Sequence, residues 1–257
     1  MKWNINSASI IGRDHELTKK NKQDFVCSYV SDNFVIGVVC DGCGESQYSE
    51  VGASLIGTFV LNYFKLYLRA ASDDDLHIKT SLESCFSDFM FSFQRSLLFY
   101  CINDSTKEQV LFIKEFMLST CLFCVLVNDK VIIGHCGDGV IIIDDQTRSL
   151  DQKGSPNYIA YKNIPKEALE TSPSELEFFK IEILDQKDIN KIVIGTDGIQ
   201  PLIDKSLINQ LYGTQKRQLQ RKFNIWQEQK IFGDDATCIV IEKQNEDSNL
   251  QTISANS

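Results

Sequence analysis

Apolar runs of strand length, separated by short polar turns, recur along most of the chain. Such runs predict β-strands, because strands that are buried on both faces read as short continuous hydrophobic stretches. Turns of hairpin length, such as Ser31-Asp32-Asn33, join several of them and favour antiparallel sheets. The predicted strands cover residues 5–11, 25–30, 34–40, 118–127, 130–136, 139–144, 177–184, 190–195 and 237–241.

Between the strand groups, apolar residues recur at helical spacing. Residues 49–68 and 76–100 predict two long helices, and shorter helical patterns cover residues 204–211 and 214–229. Long helices between groups of strands indicate helices layered on sheets, which predicts an α+β fold.

Three polar segments interrupt this pattern. Residues 12–23 predict a loop, and residues 145–174 predict a long surface excursion. We expect one catalytic domain over residues 1–243 and a polar, disordered tail over residues 244–257.

The charge balance limits the classes of partner. The net charge is −9 and the pI is about 4.9, whereas nucleic acids and anionic membranes are bound by clustered Lys and Arg. We therefore expect neither as a partner. The apolar runs are too short to span a membrane and no signal-peptide pattern precedes them, so we expect a cytoplasmic protein. No coiled-coil pattern appears, and we expect a monomer.

Nine cysteines raise the question of a zinc site. An odd number without a secretion signal indicates free thiols. Two C-x-x-C spacings occur, at Cys40/Cys43 and at Cys121/Cys124. The second pair lies in a predicted strand, where residues three apart face opposite sides. Burial as small apolar side chains accounts for these cysteines better than zinc does.

Aspartates beside glycine or a second aspartate mark the ends of several predicted strands. They are Asp41, Asp138, Asp197 and Asp234, and Asp24 opens another strand. One Asp-Gly pair alone predicts only a turn. Carboxylates at several strand ends, however, can converge at one edge of a sheet, where Mg²⁺ or Mn²⁺ accepts oxygen ligands. A metal ion would also offset the cost of burying Asp41.

Six motifs in order give the chain a specific resemblance. They are Gln23-Asp24, Asp41-Gly42-Cys43-Gly44, Ser119-Thr120, Gly137-Asp138-Gly139, Thr196-Asp197-Gly198 and Asp234-Asp235-Ala236-Thr237. Together they resemble the metal-dependent protein phosphatase family, of the protein phosphatase 2C type, in its compact bacterial form. The resemblance covers residues from about 8 to 242. It implies a four-layer α-β-β-α sandwich, with two stacked antiparallel sheets flanked by helices.

The same resemblance implies a centre with two Mn²⁺ or Mg²⁺ ions that activate a water to attack phosphorus. Asp41 would bridge both ions, and Gly42 would contribute its backbone carbonyl. Asp24 would act close to the pair through ordered water. Asp197 and Asp234 would complete the other site, and Asp138 with Asp197 would form a third, weaker one. Asp235 lies where the family usually has asparagine, so we expect Asp234 to be the ligand.

Two departures from the family pattern leave roles to be filled. Lys19 stands where many members have a phosphate-gripping arginine, so we expect Arg13 or His15 to contact the phosphate. Cys43 stands where some members have a histidine that protonates the leaving group. That proton would then come from water or from His15.

The resemblance implies dephosphorylation of phosphoserine and phosphothreonine in proteins, in partnership with a cognate Ser/Thr kinase or its targets. A phosphatase of small phosphorylated metabolites and a pseudophosphatase that binds phosphoproteins without turnover remain as alternatives. The intact acidic set argues against the pseudophosphatase. An enzyme with a covalent aspartyl-phosphate intermediate would usually need a second aspartate two residues after Asp41, where this chain has Cys43.

Overall fold

Ten strands form two five-stranded antiparallel sheets in the computed structural model. It describes residues 2–67, 75–100, 106–150, 156–164, 179–215 and 217–244. In chain order the strands are β1 (Trp3–Ile10), β2 (Phe25–Val30), β3 (Phe34–Cys40), β4 (Cys121–Val127), β5 (Lys130–Cys136), β6 (Val140–Ile143), β7 (Gln146–Ser149), β8 (Lys180–Asp185), β9 (Lys191–Gly195) and β10 (Ala236–Lys243). One sheet has the order β1-β10-β9-β6-β7, and the other has the order β2-β3-β4-β5-β8.

The described helices all lie between the first and the last of these strands in the sequence. They are α1 (Arg13–Thr18), α2 (Ser49–Tyr67), α3 (Asp75–Tyr100), α4 (Thr106–Phe112), α5 (Gln200–Asp204) and α6 (Gln218–Glu228). A π-helical turn, Ile113–Met117, extends α4 towards β4. In the described part of the chain, no helix combines the length and the apolar character needed to cross a membrane.

Three separate apolar clusters show how the layers stack. One lies between the two sheets and contains Val39, Leu122 and Ile194. The second packs α2 and α3 against the β2-β3-β4-β5-β8 sheet. The third packs α5 and α6 against the other sheet. The predicted α+β fold, a four-layer α-β-β-α sandwich, is confirmed.

Two local predictions were wrong. Residues 12–23 contain the short helix α1, Arg13–Thr18. The residue that follows the helix, Lys19, has a left-handed backbone conformation. The helix predicted over 204–211 is wrong in its bounds: α5 begins earlier, with Pro201 in its first turn, and a separate 3₁₀ turn follows at Ile208–Leu211. Pro is favoured in the first helical turn, which explains the earlier start.

The polar excursion over 145–174 has more structure than its composition suggests. It contains β7 and a 3₁₀ turn, Ile159–Asn163. Ile159 and Ala160 are fully buried in the helix-side cluster. Residues 151–155 and 165–178, like the tail from residue 245, lie outside the described residues.

The strand geometry decides against zinc at the second C-x-x-C pair. Cys121 faces the cluster under α2 and α3, whereas Cys124 faces the space between the sheets. Both thiols are free and buried. Two ligands on opposite faces of one strand cannot share an ion.

Candidate active site

Strand ends from both sheets meet at one end of the sandwich. In one sheet, Phe25 at the start of β2 pairs with Cys40 at the end of β3, so Asp24 and Asp41 lie side by side. In the other, the end of β9 lies beside the start of β10, which brings the segments with Asp197 and Asp234 together. A hydrogen bond of 2.9 Å from Thr196 Oγ1 to Asp24 Oδ2 joins the two sheets here.

Asp24 is a buried carboxylate, and one of its two oxygens has no hydrogen-bond partner among the described residues. Its Oδ2 accepts the Thr196 hydroxyl, whereas Oδ1 has no hydrogen-bond partner in the described structure. Burial raises the pKa of Asp24 to about 7, and the nearby charge of Asp235 adds to the rise. A buried polar atom without a partner is costly, so this oxygen indicates a water or an ion in the functional protein.

The backbone of Asp41 is fixed by the strand beside it. Thr120 N donates to the Asp41 carbonyl oxygen at 2.8 Å, and Ser119 Oγ donates to the same oxygen at 2.9 Å. The bond from Ser119 explains why a small residue with a hydroxyl group is favoured just before β4. Both bonds leave the Asp41 side chain directed at the other carboxylates.

The Asp41 side chain lies in a concentrated negative field. Burial raises its pKa well above the usual range, and the charges of Asp24, Asp197 and Asp234 raise it further. The Asp41 carboxyl lies close to that of Asp197, and the two negative charges repel each other. Four carboxylates from four strand ends therefore lie within electrostatic reach of one another.

Gly42 is required by the space around it. A Cβ at this position would lie 2.7 Å from Ser49 Oγ and 2.8 Å from the Gln23 carbonyl oxygen. The backbone of Gly42 therefore runs against the segment that carries Asp24. Only a residue without a side chain fits there.

Asp234 and Asp235 point in different directions from the loop before β10. The Asp234 side chain is 67% exposed, and proximity to Asp41, Asp197 and His15 places it at the rim of the centre. The pKa of Asp234 is raised because part of its carboxyl faces the protein rather than water, and the Asp197 charge contributes to the rise. Asp235 is buried, and its two oxygens accept the backbone N–H groups of Gly12 at 2.7 Å and Gln23 at 2.6 Å.

The buried role of Asp235 was missed in the sequence. It clamps the two ends of the segment that carries α1, because Gly12 precedes that helix and Gln23 follows it. The sequence did contain a signal for this role, because an aspartate stands at position 235 where the family usually has an asparagine. A buried carboxylate that accepts several N–H bonds is well satisfied.

Helix α1 brings one of its two predicted residues close to the acidic centre. His15 Nδ1 lies 3.0 Å from Asp235 Oδ2, although the ring N–H is not aligned with that oxygen as a hydrogen bond. His15 Nε2 lies 3.9 Å from Asp234 Oδ1. Arg13 is half-exposed, and its Nε lies 3.9 Å from Asp14 in the same helix.

Asp138 lies in the turn between β5 and β6, beside the same strand ends. Val140 pairs with Gly195, the last residue of β9, so Asp138 precedes that pair at the same edge of the sheet at which Asp197 follows it. Gly139 has a φ of +145°, and a Cβ there would lie 2.8 Å from the Gly195 carbonyl oxygen. The turn therefore needs glycine to bring Asp138 to this position.

Two tyrosines of the polar excursion, which sequence reasoning missed, lie against the Asp41–Gly44 loop. Burial raises the Tyr158 pKa, and the nearby Cys43 thiol contributes to the rise. Tyr161 packs on Tyr158 with ring centroids 5.3 Å apart, and burial, with a smaller contribution from the charge of Glu45, raises the Tyr161 pKa. The spacing of these tyrosines gave no signal, because the segment reads as polar.

The donor set suits hard divalent cations. The converging side chains offer carboxylate oxygens, which Mg²⁺ and Mn²⁺ prefer. A cation would offset the mutual repulsion that raises the Asp41 pKa, and the unmatched Asp24 oxygen would gain an ordered water. The residues present therefore fit the predicted metal centre.

The raised Asp24 pKa predicts a pH-dependent stability of the metal-free protein. Asp24 titrates near 3.8 when unfolded and about 7 when folded, so the folded state holds its proton through that interval. The stability that this proton contributes is complete below the lower value and is lost as pH rises through 7. In EDTA, the melting temperature should fall from pH 5 to pH 8, and it should fall less for Asp24→Asn. Parallel curves for the two proteins would contradict this.

Comparisons with known proteins identify the family of this chain and solved structures that share its fold. The sequence model of the family described as protein phosphatase 2C matches residues 11–231. A search of curated protein sequences found no match. Among solved structures, the chain is similar to serine/threonine phosphatase Stp1 from Staphylococcus aureus, with 13% identity, a TM-score of 0.62, and coverage of 95% of this chain and 96% of that chain.

Two further structures share the fold. The S. agalactiae serine/threonine phosphatase has 15% identity and a TM-score of 0.60, over 95% of this chain and 100% of that chain. RsbX, solved in complex with magnesium, has 13% identity and a TM-score of 0.52, over 92% of each chain. With a family match over most of its length and this fold, the chain belongs to the protein phosphatase 2C family.

Proposed function

We propose that this protein hydrolyses phosphomonoesters of serine and threonine in proteins, with divalent metal ions as cofactors. One observation carries the proposal: four aspartates from four strand ends converge where both sheets meet, and one buried oxygen among them has no partner. Family membership supports the same chemistry. A binding module without turnover would have no need to keep this repulsive set intact.

Asp41, the Gly42 carbonyl, Asp197 and Asp234 would hold two Mn²⁺ or Mg²⁺ ions, and Asp138 with Asp197 would hold a third. When bound, such ions lower the pKa of a shared water and supply a nucleophile near neutral pH. Asp41 is suited to the bridging position, because the charges of Asp197 and Asp234 both reach it.

The remaining residues would position the reactants. Asp24 is anchored through Oδ2, so its free Oδ1 would accept a hydrogen bond from ordered water. Arg13 is half-exposed on the helix that carries His15, and its guanidinium would bind phosphoryl oxygens in a bidentate manner. No protein nucleophile is needed, since water attacks phosphorus and the seryl or threonyl oxygen leaves.

The substrate class is the second part of the proposal. Similar structures include serine/threonine phosphatases and PppA, described as a key regulatory component of a secretion system in Pseudomonas aeruginosa. We propose a phosphoprotein substrate and a cognate Ser/Thr kinase as its counterpart. A small phosphorylated metabolite is the second candidate, and it is favoured only by the half-buried position of Asp41 near Tyr158.

Peptide substrates test this assignment. With Mn²⁺ present, we expect release of phosphate from phosphoserine and phosphothreonine peptides, and little from matched phosphotyrosine peptides. EDTA should abolish the release. Hydrolysis of sugar phosphates or nucleotides at higher kcat/KM than any phosphopeptide would favour the metabolite enzyme instead.

We predict that Tyr161, one of the two tyrosines beside the Asp41–Gly44 loop, contributes to the choice of substrate. Tyr161→Ala should lower kcat/KM for phosphopeptides about tenfold, equivalent to roughly 1.4 kcal/mol of lost contact. Hydrolysis of p-nitrophenyl phosphate should change less than about twofold, because this small ester would not reach the ring. Tyr29→Ala, on the edge strand β2, serves as the control for general destabilisation. Equal losses on both substrates would contradict a role in selection.

A further inference from the structure

His15 is held between two aspartates in a way that a phosphate-binding group would not require. Its side chain is only 12% exposed. One ring nitrogen, Nδ1, faces the buried Asp235, and the other, Nε2, faces the exposed Asp234. Among the described residues, these three are the cluster whose ligand atoms all lie within 4.8 Å of one another.

The two aspartates differ in how many hydrogen bonds their carboxylate oxygens already accept. Both oxygens of Asp235 accept backbone N–H groups, at 2.7 Å from Gly12 and at 2.6 Å from Gln23. Asp235 Oδ2 is therefore fixed 3.0 Å from His15 Nδ1, so a small rotation of the ring would let it accept the ring N–H and orient the imidazole. The Asp234 side chain is mostly exposed, so it remains available as a ligand.

We propose that His15 Nε2 is a direct ligand of the ion held by Asp234, with Asp235 as the carboxylate that orients the ring. This rests on the metal-dependent function proposed above and gives His15 a different role from phosphate contact or leaving-group protonation. A histidine ligand typically donates its other N–H to a carboxylate. The 3.9 Å between Nε2 and Asp234 Oδ1 is within the roughly 4.2 Å that two metal–ligand bonds of about 2.1 Å can span.

This ligand would make the centre selective among divalent ions. Imidazole nitrogen suits transition metals, whereas Mg²⁺ strongly prefers oxygen ligands. The protein should therefore bind Mn²⁺ in clear preference to Mg²⁺. His15→Gln should weaken Mn²⁺ binding about 10- to 100-fold, with a much smaller effect on Mg²⁺.

Pulsed electron paramagnetic resonance of bound Mn²⁺ provides a direct test. An imidazole ligand gives a ¹⁴N coupling, and the chain has three histidines, His15, His77 and His135. The experiment uses the full chain without a histidine tag, at one and two equivalents of Mn²⁺. We expect the coupling in the wild type, in His77→Gln and in His135→Gln, but not in His15→Gln.

The orienting role of Asp235 is tested by Asp235→Asn, which restores the family's usual residue. We expect it to weaken Mn²⁺ binding by about tenfold and to alter the ¹⁴N coupling, with little change for Mg²⁺. A merely structural role would weaken both ions equally. Circular dichroism and melting curves exclude variants that fail to fold, and His15→Gln carries the test if Asp235→Asn is among them.

Other outcomes separate this inference from the proposed function. A wild type that binds Mn²⁺ and hydrolyses phosphoesters without any ¹⁴N coupling overturns the ligand and leaves the function standing. A coupling that survives His15→Gln, or that is lost in His135→Gln, likewise overturns it. A protein that neither binds Mn²⁺ nor hydrolyses phosphoesters overturns both.

Discussion

Replacing Asp41 by asparagine should lower the Mn²⁺-dependent kcat/KM for p-nitrophenyl phosphate by about a thousandfold or more, a loss of roughly 4 kcal/mol of transition-state stabilisation. The amide keeps the shape of the side chain and removes the negative charge that would bridge two cations. Asp197→Asn should have a comparable effect, because the Asp197 carboxylate lies close to that of Asp41 at the same centre.

Stability measurements separate loss of chemistry from loss of fold. Without metal, Asp41→Asn should melt at or above the wild-type temperature at pH 8, since the substitution removes a charge that Asp24, Asp197 and Asp234 repel. Asp185→Asn is the matched control, because Asp185 is exposed and pairs with Lys130 at the opposite end of the sandwich. An Asp41→Asn protein with more than a tenth of wild-type activity would contradict the assigned position of Asp41.

A second substitution with a large expected effect acts through a steric clash at Gly198. Gly198→Ala should destabilise the protein by about 3 kcal/mol, a fall of roughly 10 °C in melting temperature. A Cβ at Gly198 would lie 1.8 Å from the Asp235 carbonyl oxygen, and that atom belongs to a backbone that cannot move aside freely. The strain would fall on the loop that carries Asp234 and Asp235, so metal affinity should fall as well.

Gly44→Ala provides a control in another site motif. A Cβ at Gly44 would meet nothing within 4 Å, so the melting temperature should change little. Thermal unfolding with and without Mn²⁺ measures both variants. If both glycine variants melted like the wild type, the close approach of Gly198 to the β10 loop would be wrong.

The sequence predicts this fold well where burial alone decides the structure. Strands such as β3 and β9 are apolar on both faces, because one face packs on helices and the other packs on the second sheet. Their hydrophobic runs therefore carry their own signal. The turns that follow them contain Asp41 and Asp197, and this repeated placement of aspartate after a buried strand is what indicates the acidic centre in the sequence.

Features that depend on tertiary contacts were harder to predict. Helix α1 has six residues, none of them buried, so it has no apolar periodicity to detect. Asp235 owes its position to backbone N–H groups from Gly12 and Gln23, distant in sequence. Tyr158 is placed by the buried residues that follow it in a polar segment, and its contact with Cys43 follows from packing rather than from local pattern.

Hydrolysis of p-nitrophenyl phosphate by the full chain, with Mn²⁺ and with EDTA, shows directly whether the converging aspartates form a catalytic metal centre. We expect turnover that requires Mn²⁺, saturates with its concentration and is lost in both Asp41→Asn and Asp197→Asn. A folded protein that shows no turnover at any Mn²⁺ concentration would contradict it. So would turnover that persists unchanged in EDTA, because the converging aspartates would then not serve as a metal centre.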